Sequence, residues 1–236
     1  AFRGIDTIML IPSYDKPADR IRQHRDVLEA ARENNVKKMV FVSFIGKELD
    51  TAFSPILDAY RQTEKDLFQS GLNAVIGRDA LYIEPDLEYI NQYVRKGKIV
   101  NSAGDGKCAY TNRDELGYAY ARILTEERHN GAIYNLSGEP ISQQQLTSYI
   151  NQVYKLELKY EAVSVEEYYA DRRAELGELF GNIVGGIYEG IQDGAFDVPS
   201  DFNKAAGRPH RSALEMIASF QKGDFTGRPV ESTDSK

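Results

Sequence analysis

Ser43, Tyr82 and the spaced pair Tyr60 and Lys65 are the side chains whose types and positions could do chemistry in this chain. Ser43 closes the run Lys37-Lys38-Met39-Val40-Phe41-Val42-Ser43, whose centre is four consecutive apolar residues. A short apolar run bounded by polar residues reads as a strand buried on both faces, the parallel-sheet kind. In open α/β sheets ligands bind beyond the carboxyl ends of the strands, so the Ser43 hydroxyl stands where a ligand would arrive. Tyr82 follows a similar run, Asn73-Ala74-Val75-Ile76-Gly77. A lysine beside a tyrosine eases loss of the phenolic proton, but the two must share a helix face. Positions four apart do so and positions five apart, as Tyr60 and Lys65 are, do so poorly. Tyr60 therefore reads as packing rather than as an acid. His24, His129 and His210 lie far apart, with no Cys or carboxylate at ligand spacing, which argues against a metal site.

The elements that must hold these groups follow from periodicity. Residues 5–13 form a buried strand ended by Pro12 and Ser13. Residues 18–34 carry Ile21, Val27, Leu28 and Ala31 at helical spacing, and Asn34-Asn35 is a stop that tolerates left-handed backbone. Strand, helix, strand at this spacing predicts a parallel pair with a right-handed crossover. A loop over 44–54 leads to a helix over 55–70, with Ile56, Tyr60 and Leu67 inward and Gly71 as its cap, and then to a strand over 73–77. From Asp86 the rhythm changes. The pattern predicts helices over 87–95, 113–126, 142–154, 165–179 and 212–220, with a Gly-rich helix or helix pair over 180–194. Short strands are expected over 98–100, 131–136 and 158–163, a turn over 103–107, a loop over 197–208 and a polar, disordered tail over 222–236. Asn112 or Asp114, and Ser142, are the expected helix caps. The fold class is α/β: a parallel sheet with helices on both faces in residues 1–85, then a smaller mixed α/β lobe over 86–221, some of whose segments can return to the sheet. The cleft between the two is the expected site.

Charge and composition narrow the partners. A net charge of -7 argues against a nucleic-acid surface. Cys108 is the only cysteine, so no internal disulfide can form, and a reducing, cytoplasmic setting is expected. No apolar stretch approaches membrane-spanning length and no signal peptide is seen, so no membrane partner is expected.

An ordered series of short motifs carries a resemblance. Ile5 to Ser13, Gln23-His24, Val40 to Ser43, Thr63-Glu64-Lys65 with Ser70-Gly71, and Arg78-Asp79-Ala80-Leu81-Tyr82-Ile83-Glu84 resemble the NmrA-like branch of the atypical short-chain dehydrogenase/reductases. Ala103-Gly104-Asp105-Gly106, Asn112-Arg113-Asp114, Tyr134-Asn135-Leu136-Ser137-Gly138 and Ala206-Gly207-Arg208-Pro209 match in order and spacing. The nearest types are NAD(P)H-dependent quinone oxidoreductases and triphenylmethane reductases. The resemblance implies a Rossmann-like sheet and NADP or NAD as cofactor. It places the Pro12-Ser13 turn along the adenosine side, the alternative being a plain strand-ending turn. It places Ser43, Phe44 and Ile45 beside the nicotinamide ribose, with Lys65 as a candidate ribose ligand, and Ala80, Leu81 and Tyr82 against the nicotinamide ring. Tyr82 and Ser43 are then the candidate catalytic groups, and Phe44, Tyr82, Phe180, Ile187 and Tyr188 the candidate lining of an acceptor pocket. The readings of Tyr82 as a hinge plug, and of Phe180, Ile187 and Tyr188 as core, stay open.

One departure stands out. The family opens with a Gly-rich turn that cradles the pyrophosphate, and no Gly-x-x-Gly-x-x-Gly occurs here. The first strand resembles the family's fourth, so two βα-type units, roughly 60–75 residues, are expected to precede it. An apolar strand starting at Ile5 would otherwise leave a long exposed edge. The sequence is therefore read as part of a longer protein, with natural truncation as the alternative. The implied function is NAD(P)H-dependent reduction of a small-molecule acceptor, a quinone or similar planar compound. The alternative is a non-catalytic NAD(P)-sensing regulator that binds a protein partner. A sugar-nucleotide epimerase is a weaker option, because the Tyr-x-x-x-Lys proton shuttle is missing. A homodimer is left open.

Overall fold

The computed structural model describes residues 2–13, 15–47 and 51–220, so the expected tail over 222–236 lies outside the described residues. The elements run β1 (Thr7–Leu10), α1 (Pro17–Glu33), β2 (Lys38–Phe44), α2 (Ser54–Gln69), β3 (Asn73–Asp79), β4 (Leu81–Tyr82), α3 (Glu84–Glu88), α4 (Ile90–Lys96), β5 (Lys98–Asn101) and β6 (Lys107–Thr111). They continue as α5 (Arg113–Thr125), β7 (Ile133–Leu136), β8 (Pro140–Ser142), α6 (Gln143–Tyr154), β9 (Lys159–Ala162), α7 (Val165–Gln192), α8 (Phe202–Ala206) and α9 (Ala213–Phe220).

The main sheet is parallel, in the order β1-β2-β3-β7. Its β2 strand shows why a continuous apolar run suits this position. Successive side chains point to opposite faces. Met39 and Phe41 face α1 and α2, in a cluster with Leu28, Ala31 and Leu67. Val40 and Val42 face the other way, in a cluster with Leu116, Ala119, Ile123 and Phe202 from α5 and α8. Met39, Val40 and Phe41 are fully buried, each stabilising the fold by about 1.5–3 kcal/mol relative to exposure. A third cluster fills the second lobe, where α3, α4, α6, α7 and α9 pack around β6 and the β5-β9 pair.

Several predicted stops are present. Asn35 takes a left-handed conformation (φ 56°) after α1, and Gly71 does so (φ 81°) after α2. Ser142 and Gln145 form a capping box on α6, and Asn112 caps α5. Other expectations need correction. The helix predicted over 87–95 is two short helices sharing Tyr89 as a cap, because Pro85, whose fixed φ suits a first helical turn, starts the first one early. The loop predicted over 197–208 contains α8, a single turn too short to show a period, held by Phe202, Ala205 and Ala206 against α5 and stopped by Gly207. Residues 107–111, starting on the last residue of the predicted turn, form β6, which pairs with β4 and β8. The predicted helices over 165–179 and 180–194 are the two arms of α7, broken at Gly177 (φ 79°, ψ 168°), a conformation essentially reserved for glycine. Gly181 lets the second arm come close to the Arg172 and Arg173 backbone, where a Cβ would collide.

Candidate active site

Strands β2 and β3 end side by side, with Ser43 opposite Arg78 and Phe44 opposite Asp79. Beyond Asp79 the chain turns through Ala80 into β4, which pairs with β6. The carboxyl ends of the main sheet thereby meet the second lobe. Between them lies a cavity of about 460 Å³. Its floor is Val42, Ser43, Phe44, Asp79, Ala80, Leu81 and Tyr82, and its far wall is Tyr110 from β6 with Tyr168, Arg172, Ile187 and Tyr188 from α7. Tyr60, Asp86, Tyr89 and Tyr93 complete it. Such a concave, aromatic space with a few convergent polar groups is what a small-molecule site requires.

The polar groups are two buried carboxyls held by phenols. Asp79 is 4% exposed. It accepts from Tyr82 (Oδ2, 3.0 Å) and lies 2.6 Å from the Tyr120 hydroxyl at Oδ1. Tyr120 also lies 3.1 Å from the Gly77 carbonyl oxygen, an approach possible because residue 77 has no Cβ. Burial pushes the Asp79 carboxyl up to about 7, against the opposing pull of the hydrogen bonds from Tyr120 and Tyr82. Burial, then the neighbouring Asp79, pushes the Tyr82 phenol far above its ordinary range, so it stays protonated. Asp86 accepts from Tyr93 (3.0 Å), with Tyr188 and Tyr110 as further hydroxyl partners. Burial pushes the Asp86 carboxyl up to about 6 despite those bonds. Arg172 pairs with Glu175 (2.7 Å) and lies over the Tyr168 ring.

Behind the floor sits a third carboxyl, Glu64 of α2, with its side chain 6% exposed. It accepts from Ser43 (2.5 Å), Arg61 (2.9 Å) and Arg78 (2.9 and 2.5 Å). Burial raises the Glu64 pKa, but the hydrogen bonds from Arg78 and Ser43 and the charges of Arg61 and Arg78 outweigh it and hold the carboxyl below its ordinary range. Arg61 also donates to the carbonyls of Phe44 and Gly46 and so ties down the turn after β2.

Of the residues singled out from sequence, Ser43, Phe44, Tyr60, Ala80, Leu81, Tyr82, Ile187 and Tyr188 border this cavity. The hydroxyl of Ser43 is committed to Glu64. Ile45 is fully buried below the floor, its N–H donating to the Asp79 carbonyl (2.9 Å). Pro12 and Ser13 lie at the end of β1, outside the cavity, with Ser13 donating to Gln23 (2.8 Å). Lys65 is exposed on α2 and Phe180 is 53% exposed on α7, both outside the cavity. Asp79, Asp86, Tyr93, Tyr110, Tyr168 and Arg172 had not been singled out. The available signals were a charged pair, Arg78-Asp79, ending an apolar strand, and an unusual richness in tyrosine. The histidines are dispersed, with His24 against Thr63, His129 against Tyr134 and His210 against Thr111. Among the described residues no cluster of three His, Cys, Asp or Glu could hold a metal.

Known proteins match this arrangement along most of the chain. Quinone oxidoreductase 2 of Escherichia coli (strain K12) is 27% identical over 222 residues, spanning 92% of this chain and 76% of that protein. An NmrA-like family domain-containing oxidoreductase, flvB, of Aspergillus flavus is 36% identical over 152 residues, 62% of this chain and 48% of that protein. The crystal structure of the Citrobacter sp. triphenylmethane reductase complexed with NADP(H) superposes with a TM-score of 0.81 at 28% identity, covering 93% of this chain and 78% of that one. Of these relatives one is named an NmrA-like oxidoreductase, one a quinone oxidoreductase and one a triphenylmethane reductase. No family model matches the chain. The parallel sheet with its flanking helices is accordingly of the Rossmann-like kind. The aromatic cavity lies at the carboxyl ends of its strands, where this architecture places ligands. No helix among the described residues is long and apolar enough to cross a membrane.

Proposed function

We propose that the chain belongs to an NAD(P)H-dependent reductase of quinones or similar planar acceptors. The observation that carries this reading is the cavity itself: the tips of β2 and β3, through Ser43 and Asp79, and the short strand β4, through Tyr82, border one space of about 460 Å³ walled by aromatic rings. The reading is supported by the relatives, since the E. coli match is named a quinone oxidoreductase and the Citrobacter enzyme was crystallised with NADP(H).

The floor fits a nicotinamide ring. Val42, Ala80, Leu81 and the Tyr82 ring are apolar and border the cavity together, and they are the residues that would hold it. Bound there, the nicotinamide supplies a hydride. The rest falls to the chain's own side chains. Phe44, Tyr60 and Tyr188 give a flat acceptor faces to stack on, which limits the orientations it can take. Tyr82, 36% exposed, borders the cavity with its hydroxyl bonded to Asp79, and is the phenol we assign to an acceptor oxygen. Ser43, held by Glu64, fixes the floor rather than the acceptor.

The test is NADPH oxidation by the full-length protein in the presence of 1,4-naphthoquinone, followed by absorbance. Acceptor-dependent oxidation is expected. It should fall at least tenfold when Tyr188→Ala opens the wall or Leu81→Arg puts a charge into the floor. Bound cofactor without turnover across a broad acceptor panel would end the proposal.

A further inference from the structure

We propose that Asp79 is the proton reservoir of this site: its carboxyl hands a proton to the Tyr82 hydroxyl, which hands its own to the acceptor oxygen. The proposal rests on the reductase reading and adds the part that reading leaves open, the source of the proton.

The geometry is a short chain of oxygens running from the strand tip into the cavity. Tyr120, then Asp79, then Tyr82 stand at 2.6 Å and 3.0 Å, and only Tyr82 is substantially exposed. A phenol has one proton to give. When Asp79 is ionised, its oxygens draw both phenolic protons inward, and Tyr82 has none free for the cavity. When Asp79 is neutral and protonated on Oδ2, it donates to the Tyr82 oxygen instead. The Tyr82 proton is then released to point at an acceptor, while Tyr120 donates to Oδ1 or to the Gly77 carbonyl. The charge state of a buried group thus sets the direction of an exposed hydroxyl. The Asp79 pKa of about 7 puts that choice at neutral pH.

The surroundings are consistent with it. The charged and titratable neighbours of the pair are Arg113 from α5, whose guanidinium lies 5.9 Å from the Tyr82 ring centroid, Tyr60 from α2 and Glu84 from α3. None of them is a hydrogen-bond partner of Asp79, and Arg78, its chain neighbour, is committed to Glu64. Burial, unopposed by a cation paired to the carboxyl, is what favours the neutral form.

The step balances. After a quinone has received the hydride, its oxyanion forms an O–H bond with the Tyr82 proton. The Tyr82 O–H bond breaks and re-forms with the proton from Asp79. Asp79 is left as a carboxylate and is reprotonated from water between turnovers. The electrons come from the reduced nicotinamide cofactor, and the protein is neither oxidised nor reduced.

The experiment uses two acceptors on the full-length protein with NADPH. 1,4-Naphthoquinone needs a proton after the hydride. A cationic triphenylmethane dye such as crystal violet, which stays cationic well above neutral pH, takes the hydride on carbon and becomes neutral without one. In the wild type, quinone turnover should fall as pH rises above about 7 while dye turnover does not. Asp79→Asn keeps the shape and can still donate to Tyr82, but holds no transferable proton. Tyr82→Phe removes the donor. Both should lower the ratio of quinone to dye turnover by at least about tenfold, the modest end of general-acid effects, and flatten the pH profile. Tyr120→Phe withdraws one hydrogen bond from the carboxylate and should move the quinone limb to higher pH. Equal losses with both acceptors, or a limb that Tyr120→Phe leaves in place, would overturn the relay and make the cluster structural. Absence of wild-type turnover with both acceptors, despite cofactor binding, would overturn the reductase reading and the relay with it.

Discussion

The carboxyl of Glu64 is the group on which the floor of the site should depend most, and Glu64→Ala measures that dependence. Its side chain is 6% exposed, and the two guanidinium groups it neutralises, Arg61 and Arg78, are 15% and 26% exposed. Removing one partner of a buried ion pair costs about 3–5 kcal/mol, because the remaining charge is desolvated without compensation. Here two cations lose a shared partner, and the Ser43 hydroxyl loses its acceptor. Arg61 keeps its bonds to the Phe44 and Gly46 carbonyls, which argues for the lower part of that range. For a chain of this size each kcal/mol moves Tm by roughly 2–4 °C, so a fall of roughly 6–20 °C is expected by calorimetry. The control is Glu64→Met with Arg78→Met. Replacing a buried pair by apolar side chains of similar volume is often nearly neutral, so the double variant should recover a large part of the loss. A fall below about 1 kcal/mol in Glu64→Ala would refute the reasoning, since the cluster would then behave like a surface pair. The pH dependence has a definite sign. The folded-state pKa of Glu64 is depressed, so its contribution is present above the ordinary glutamate value and is lost as pH falls through the folded value. Glu64→Ala should therefore unfold with less acid dependence below about pH 4.5 than the wild type.

Three further outcomes follow from single positions. Asp79 has a raised folded-state pKa, so its contribution is present below the ordinary aspartate value and is lost as pH rises through about 7; Asp79→Asn should therefore gain on the wild type as pH rises from about 4 to about 7 and hold that difference above it, read as a difference in urea midpoints. Gly77→Ala would drive a Cβ into the Tyr120 ring and hydroxyl, and overpacking of a buried site should cost about 1–3 kcal/mol, seen as a lowered Tm. Gly177→Ala must hold φ 79° with ψ 168°, so a loss of about 1–3 kcal/mol is expected together with increased protease cleavage near the break in α7.

Much of the fold was legible because the deciding forces are local and periodic. The β2 run was continuous in apolar residues, and it is a strand with both faces covered. In α5, the helix predicted over 113–126, Leu116, Ala119, Tyr120 and Ile123 stand at helical spacing and are all buried. What escaped the periodic reading was short: β4 has two residues, β8 three and α8 five. Elements of that length are stabilised by partners distant in sequence, and neither a two-residue nor a 3.6-residue period can declare itself over so few positions.

The candidate site divides along the same line. The sequence by itself determined the tip of β2, because the residue that ends a buried parallel strand lies at the ligand-binding edge; Ser43 was found that way, and Tyr82 through the resemblance of the segment after β3. Only the tertiary structure decided what those groups meet. It turned the Ser43 hydroxyl back onto Glu64 and carried Lys65 and Phe180 out to the surface. It also gathered Asp79, Asp86 and the phenols of α2, β4, α4, β6 and α7 around one space. Burial is a property of the assembled chain: the same aspartate in solvent would be an ordinary carboxylate, and only enclosure by distant aromatic side chains lifts its proton affinity to the range where it can serve an acceptor.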